Sequence, residues 1–313
     1  MMMRMRQIVR VCLCLVFICL ITLPAQEAAG AVRHHPRWRR VVARTRRVVH
    51  PRRRRIARSP YLGAILIEAS TGRVLFEDHA DAKGYPASML KLMDMLIILG
   101  RIEHGQLHLQ DQVPVSAKAA RTGGSQVWLA QGESFSVEDM LYALMVQSAN
   151  DAAVALAEKV AGSTDAFVAL MNQKARELGM TSTVFHSVHG LPPGRDQKHD
   201  VTTARDFARL CRVLVVQHPE ILRYTSTRAR PFRVNVPGKT IQMRTHNHLL
   251  GRVAGCDGLK TGYIWQAGFS IAATASRNHH RLIAVVLDSV DRKVRDAKAA
   301  ELLEKGFAVL EQH

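Results

Sequence analysis

With 313 residues the chain can bury a sizeable core in one or two domains. Its formal charge of +18 is uneven: residues 33–58 hold twelve arginines and no acid, while residues 59–313 carry a net charge of only +4. The high basicity therefore belongs to an arm and not to the globular part. Five cysteines, three of them within the first twenty residues, exclude a disulfide-stapled scaffold.

In chain order, the first element is an export signal. "MMMRMRQIVR" is a short basic region, "VCLCLVFICLITL" an apolar core of thirteen residues, and "AAGA", ending at Ala31, has the small-x-small form of a cleavage site. The apolar run is short for a spanning helix, which needs about 20 residues. Residues 1–31 are thus expected to be a signal peptide, with a retained anchor as the alternative. Cys12, Cys14 and Cys19 lie in this segment, leaving Cys211 and Cys256 as one possible bridge or two free thiols.

Residues 32–58 are too charged and too poor in apolar residues to fold, which predicts a disordered arm. It is either a solvated spacer or an attachment to an anionic surface, such as lipid headgroups or a wall polymer. Nucleic acid is not expected as a partner, because an exported protein rarely meets it.

From residue 59 onward the pattern is mixed. "YLGAILIEA", "STG" and "RVLFED" predict a β-hairpin with Gly72 in its turn. "YPASMLKLMDMLIILG" predicts a buried helix. "SVEDMLYALMVQ" opens with a capping box, Ser136 to Asp139. "NDAAVALAEKVAG" is a helix capped by Asn150 or Asp151 and ended by Gly162, and "TDAFVALMNQKARELG" is another that ends at Gly179. "TTARDFARLCRVLVVQHP" is capped by Thr203 and stopped near Pro219. Strands follow: the hairpin "FRVNV", "PGK", "TIQMR", then "GLKTGYI", "GFSIAATAS" and "RLIAVVLDSV", before a last helix, "RKVRDAKAAELLEKGF". Strands at both ends and helices between predict a sheet built from both ends with a helical insert, and a cleft where the two lobes meet.

Three motifs carry chemistry. In "SMLK", Ser88 and Lys91 share one helix face. Ser88 follows Pro86 at the helix start, where free N–H groups favour a developing anion. Lys91 sits among Leu90, Leu92 and Met93; desolvation lowers a lysine pKa, so it can act uncharged and take a proton. In "SAN", Ser148 and Asn150 fall between two predicted helices, where they can relay a proton and hold a peptide, although a plain helix cap explains them too. In "KTG", Lys260 and Thr261 can hold a carboxylate from one strand, and Gly262 leaves room for a substrate backbone beside the strand edge. A Ser-x-x-Lys occurs about once by chance in a chain this long, so the set and its order carry the argument.

The order Ser-x-x-Lys, Ser-x-Asn, Lys-Thr-Gly resembles the low-molecular-weight penicillin-binding proteins, the serine D-alanyl-D-alanine carboxypeptidases. "SANDAAVALAE", "ELGM", "HGL", "TTARD", "CDGLKTGY" and "IAVVLDS" extend the likeness from Tyr61 to Phe307. The resemblance implies an α+β fold of the serine β-lactamase/DD-peptidase kind, an antiparallel sheet flanked by helices with a mostly helical second lobe, over residues 59–313. It implies Ser88 as nucleophile, Lys91 as general base, Ser148 as proton relay and Asn150 as orienter. Lys260 and Thr261 would bind the terminal carboxylate, and the backbone N–H groups of Ser88 and Tyr263 would form the oxyanion hole. Peptidoglycan stem peptides are the implied substrate, β-lactams the implied inhibitors, and the periplasm or cell envelope the implied location. No cofactor and no metal are implied.

Three features depart from the family pattern. Ile264 stands where a threonine is common, and Asp94 where Met-Thr usually follows the first motif. The C-terminal β-rich domain and amphipathic anchor of several relatives have no counterpart before His313, which would leave membrane contact to the arm. Ile264 and the missing domain raise the alternative of a DD-endopeptidase. A β-lactamase is disfavoured by Ala149 in the second motif, and an inactive wall-binding protein by the intact motif residues. The pairs His186/His189 and His246/His248 have ligand spacing, but no acid or cysteine pattern completes a metal site, so they are expected to be structural or surface histidines.

Overall fold

The computed structural model describes residues 60–195, 197–234, 238 and 240–311. The expected signal peptide, residues 1–31, and basic arm, residues 32–58, lie outside the described residues. The chain runs β1 (Gly63–Glu68), β2 (Val74–Asp78), a 3₁₀ turn (Ala87–Leu90), α1 (Lys91–Glu103), β3 (Gln112–Pro114), α2 (Ala117–Ala120), β4 (Ser134–Ser136) and α3 (Val137–Tyr142). A π turn (Ala143–Gln147) leads to α4 (Asn150–Ala161), α5 (Thr164–Glu177), α6 (Ala204–Gln217) and α7 (Ile221–Thr225). It ends with β5 (Ala229–Phe232), β6 (Ile241–Arg244), β7 (Cys256–Ile264), β8 (Gly268–Arg277), β9 (His280–Ser289) and α8 (Arg292–Leu310).

Five strands form one antiparallel sheet in the order β2-β1-β9-β8-β7, so the two ends of the chain build a single sheet, as expected. Alternation along each strand feeds two cores. Ile65 and Ile67 of β1 and Ile283, Val285 and Leu287 of β9 face the helical lobe. Ala64 and Leu66, with Leu282, Ala284 and Val286, face α8, which contributes Leu302, Leu303 and Phe307. That helix lies so close to the sheet at Gly306 that a Cβ there would come within 2.6 Å of Leu66 Cδ2.

In the helical lobe, α1 is buried on every side: Lys91 through Leu99 are all inside. Each large side chain removed from water there contributes about 1.5–3 kcal/mol, which offsets the cost of dragging Lys91 in with them. Ser136, Ser163 and Thr203 cap α3, α5 and α6 through the backbone N–H three residues on.

Two expectations need correction. Neither Asn150 nor Asp151 caps α4; its N-cap is Ala149, without a side-chain bond, because both polar side chains are engaged elsewhere. In the second hairpin Ala229–Phe232 pairs with Ile241–Arg244; of the expected strand "FRVNV" only Phe232 belongs to it, and residues 235 and 236 lie outside the described residues. Arg233 breaks that strand with φ +60°, and its guanidinium reaches Val127 O and Trp128 O and pairs with Glu133. Cys211 and Cys256 are both free thiols. No helix among the described residues is long and apolar enough to cross a membrane.

Candidate active site

The 3₁₀ turn that carries Ser88 begins at Ala87, whose φ of +46° is costly for a residue with a Cβ. Its neighbours hold it there. A Cβ on Gly262 would lie 2.5 Å from Pro86 O, and one on Gly190 would lie 2.2 Å from Ala87 O. Gly262 therefore makes room for the backbone next to the serine while also lining the cleft. Gly190, in "HGL", does the same from the opposite side. Upstream, buried Asp288 in β9 accepts the Tyr85 N–H at 3.0 Å and the Ser270 hydroxyl at 3.1 Å, tying the turn to the sheet.

Lys91 opens α1 and is wholly buried. Its Nζ lies 3.0 Å from Ser88 Oγ, 2.9 Å from Ser148 O, 2.6 Å from Asn150 Oδ1 and 3.3 Å from Ser148 Oγ. The Asn150 amide is oriented by its Nδ2, which donates to Gly123 O at 2.8 Å. Ser148 O and Asn150 Oδ1 are acceptors only, so they engage two N–H bonds of the amine. The remaining tetrahedral position points to Ser88 Oγ and holds a hydrogen if the amine is charged or a lone pair if it is not. Burial brings the Lys91 pKa down to about 7, against the opposing pull of Asp94 and Asp151. Near neutrality the lone-pair form is thus well populated, and it can accept the Ser88 proton.

Ser148 ends the π turn with φ +61° and ψ +34°. The extra residue of such a turn and the left-handed backbone together aim both its carbonyl and its hydroxyl at Lys91. Asp151 fixes the start of α4 from below: its carboxylate accepts the N–H groups of Val127 and Leu129. The sequence pairs Ser148 with Asn150 but does not reveal this bracing, because Val127 and Leu129 are remote in the chain.

The third motif lies on β7. Thr261, Gly262 and Tyr263 line a cleft of about 410 Å³ together with Ser88, Ser148 and Asn150. Tyr263 is about half exposed and packs on Phe269 with ring centres 4.4 Å apart. Lys260 is buried behind this wall, and its Nζ donates to Thr261 O at 3.1 Å. Burial, then the nearby Lys91 and Arg295, push its pKa well below the usual lysine value. Ile264 does not face the cleft; it packs with Ala87 and Ala267 beneath the serine turn.

Sequence reasoning missed several neighbours. Arg295 of α8 is 2 % exposed, pairs with Asp296 and presents its guanidinium to the cleft; Arg292 lines the same wall. His246 and His248, expected to be structural or surface residues, line it too. His189 O stands 3.4 Å from Ser88 Oγ and accepts its hydrogen bond. Apart from the pairwise spacing of the histidines, none of these has a sequence signal. Asp94, one turn beyond Lys91, is buried with both carboxylate oxygens unpartnered among the described residues. Among the described residues no three histidine, cysteine or acidic side chains gather as a metal site.

In this fold a desolvated lysine, Lys91, faces the hydroxyl of Ser88. Penicillin-binding protein D2 of Listeria monocytogenes, solved in an ampicillin-bound form, superposes with a TM-score of 0.71 at 32% identity, over 79% of this chain and 97% of that one. The D-alanyl-D-alanine carboxypeptidase DacF of Bacillus subtilis is 36% identical over 250 residues, 80% of this chain and 63% of that protein. A D-alanyl-D-alanine endopeptidase of Pseudomonas aeruginosa is 30% identical over 241 residues, 76% of this chain and 74% of that protein. The chain spans about three-fifths of the length of the carboxypeptidase relatives. Residues 58–291 match the peptidase S11 family, described as D-alanyl-D-alanine carboxypeptidase, and the chain belongs to that family.

Proposed function

We propose that the protein is a serine D-alanyl-D-alanine carboxypeptidase that trims peptidoglycan stem peptides and is acylated by β-lactams. The observation that carries this reading is the Lys91 amine, engaged by two acceptor-only oxygens and directed at Ser88 Oγ. Uncharged Lys91 takes the Ser88 proton as Oγ attacks the carbonyl of the penultimate D-alanine. Backbone N–H groups of Ser88 and Tyr263 receive the developing oxyanion. The Ser148 hydroxyl, in contact with Lys91, passes the proton to the leaving amine as the C–N bond breaks, and water then hydrolyses the ester. Asn150 holds both the lysine and the substrate peptide. Thr261 and Arg295 hold the terminal carboxylate, with Lys260 behind the wall donating to Thr261 O.

Residues 1–31 act in this reading as the export signal that delivers the catalytic domain, residues 59–313, to the cell envelope. Residues 32–58 form the basic arm that attaches it to an anionic membrane or wall polymer. The test is to incubate the protein with a pentapeptide muropeptide and with a cross-linked dimer and follow products by mass. Free D-alanine from the pentapeptide is expected, together with a penicillin label on Ser88. Ser88→Ala is expected to abolish both while leaving the circular dichroism spectrum unchanged. No product from either substrate and no label would leave a non-catalytic wall-binding protein.

A further inference from the structure

The pairing of β8 with β9 slips near the end of β9. Ile271 pairs with Val286, but Phe269 pairs with Ser289, so β9 holds one extra residue opposite Ser270. Such a bulge breaks the in-and-out alternation and re-aims a side chain. The residue re-aimed is Asp288, whose backbone is left-handed at φ +55°. Regular alternation would have placed it with Ala284 and Val286 under α8. Instead its Oδ2 accepts the Tyr85 N–H and its Oδ1 accepts the Ser270 hydroxyl, while Ser270 Oγ accepts the Asp288 N–H at 2.9 Å. Gly84 leaves room for it, since a Cβ there would stand 2.2 Å from Oδ2.

The two partners lie on the two sides of the contact that shapes the nucleophile. Tyr85 leads through Pro86 and the strained Ala87 into Ser88. Ser270 is the register partner of Gly262, which backs onto Pro86. Asp288 is wholly buried and makes no ion pair among the described residues. Around it, the Gly84–Tyr85 segment offers a backbone N–H, with the Tyr85 ring stacked on His199. β8 offers Ser270, whose carbonyl lies 3.5 Å from Arg295 Nη1 of α8, and Leu62 closes the side next to Gly84. A buried carboxylate with no cation is a costly way to fill a core, and such groups concentrate at working sites. As an anion it accepts both hydrogen bonds. A proton on Oδ2 would oppose the Tyr85 N–H, and one on Oδ1 would turn the Ser270 hydroxyl away.

We propose that Asp288 is a positioning residue for acylation: its carboxylate fixes the serine turn against β7, and its protonated form loosens that link. The proposal rests on the DD-peptidase reading above, because it concerns the approach of Ser88 Oγ to a carbonyl. Burial raises the Asp288 pKa to about 7, against the pull of its two hydrogen bonds. Its proton therefore leaves in the same range as that of Lys91, and two protons must be lost before the turn is fixed and the base is free.

The experiment measures the second-order rate of acylation by a chromogenic penicillin from pH 5 to pH 9, with a thermal melt of each protein. It compares the full-length chain with Asp288→Asn and Ser270→Ala. In the unaltered protein the acid limb is expected to be steeper than one proton allows, approaching about a hundredfold per pH unit at its foot. The single amide oxygen of Asp288→Asn can serve only one of the two donors. Its plateau is expected to fall about tenfold or more, and its limb to relax to about tenfold per pH unit, with the midpoint set by Lys91 alone. Its melting temperature should stay near the parental one, because a buried charge has been removed. Ser270→Ala keeps the carboxylate but removes a donor to it, so the steep limb should move to higher pH. The proposal is overturned by a one-proton limb in the unaltered protein, by a parental rate and limb in Asp288→Asn, or by a loss of rate that only follows its loss of folded protein. An unaltered protein that takes no penicillin at any pH would remove the DD-peptidase reading and this proposal with it, whereas normal acylation with unaffected variants removes the proposal alone.

Discussion

Lys91 and Asp94 lie three residues apart on one buried helix face and respond to burial in opposite directions. With the Lys91 pKa near 7, the second-order rate of acylation by a chromogenic penicillin is expected to rise through about pH 7 as the amine loses its proton. A profile flat from pH 5.5 to 9 would remove Lys91 as the base. The same shift bears on stability: the lysine is most unfavourable to the fold below about pH 7, and its cost fades as pH rises toward its ordinary value of 10.5. Asp94, desolvated and with neither carboxylate oxygen hydrogen-bonded among the described residues, is held well above its ordinary value of 3.8. The folded state then binds a proton that the unfolded chain gives up above about pH 4, so stability is lost as pH rises. Asp94→Asn is expected to unfold near the same urea concentration as the parent at pH 3.5 and to be more stable by about 1–3 kcal/mol at pH 7.5. Its acylation profile should keep its limb near pH 7; a limb displaced downward would mean that Asp94 is ionised beside the lysine. The sequence marks both residues as unusual in an apolar helix. It could not show that Lys91 gains Ser148 and Asn150 as partners while both Asp94 oxygens have none among the described residues, because those contacts come from other segments.

The serine turn depends on contacts between elements. Ala87 keeps its left-handed backbone because Gly262 of β7 and Gly190 of the "HGL" loop lie against Pro86 and Ala87. Gly262→Ala forces backbone against backbone, where no flexible side chain can yield. Acylation is expected to fall about a hundredfold or more, since an ångström of displacement at a nucleophile has that scale of effect. The measurement is stopped-flow labelling with a fluorescent penicillin, and near-native acylation would show that the turn does not depend on that glycine. Element types along the chain were largely legible: the capping Ser136 and Thr203, the terminating Gly162 and Gly179, and the antiparallel β7–β9 run all follow local rules. What was misread is also physical. Asn150 and Asp151 have the chemistry of caps, but Lys91, Gly123, Val127 and Leu129 draw their side chains away. Arg233 ended a strand that propensity would have extended, because its guanidinium gains three partners from the adjacent loop.

At the scale of the whole molecule, one sheet serves two cores, and each depends on strands from both ends of the chain. Phe307 fills the core beneath α8 at 2 % exposure. Phe307→Ala is expected to cost about 3–5 kcal/mol and to lower the unfolding of the entire catalytic unit, because the sheet it supports also carries β7. Loss of penicillin binding and loss of near-ultraviolet circular dichroism should coincide on heating; a native-like cleft surviving the melting of α8 would contradict a shared sheet.

By itself, the sequence determined the class of the fold and the family resemblance, and it singled out Ser88, Lys91, Ser148 and Lys260 as candidates, because capping, periodicity and motif chemistry are local properties of a chain. Only the tertiary structure decided which way the shared groups point. It put Lys91 out of water, enlisted Arg295 and two histidines in the cleft wall and packed Ile264 against Ala87 and Ala267. Charge state and partnership depend on distances between residues that lie tens to hundreds of positions apart, and those distances exist only once both ends of the chain have joined one sheet.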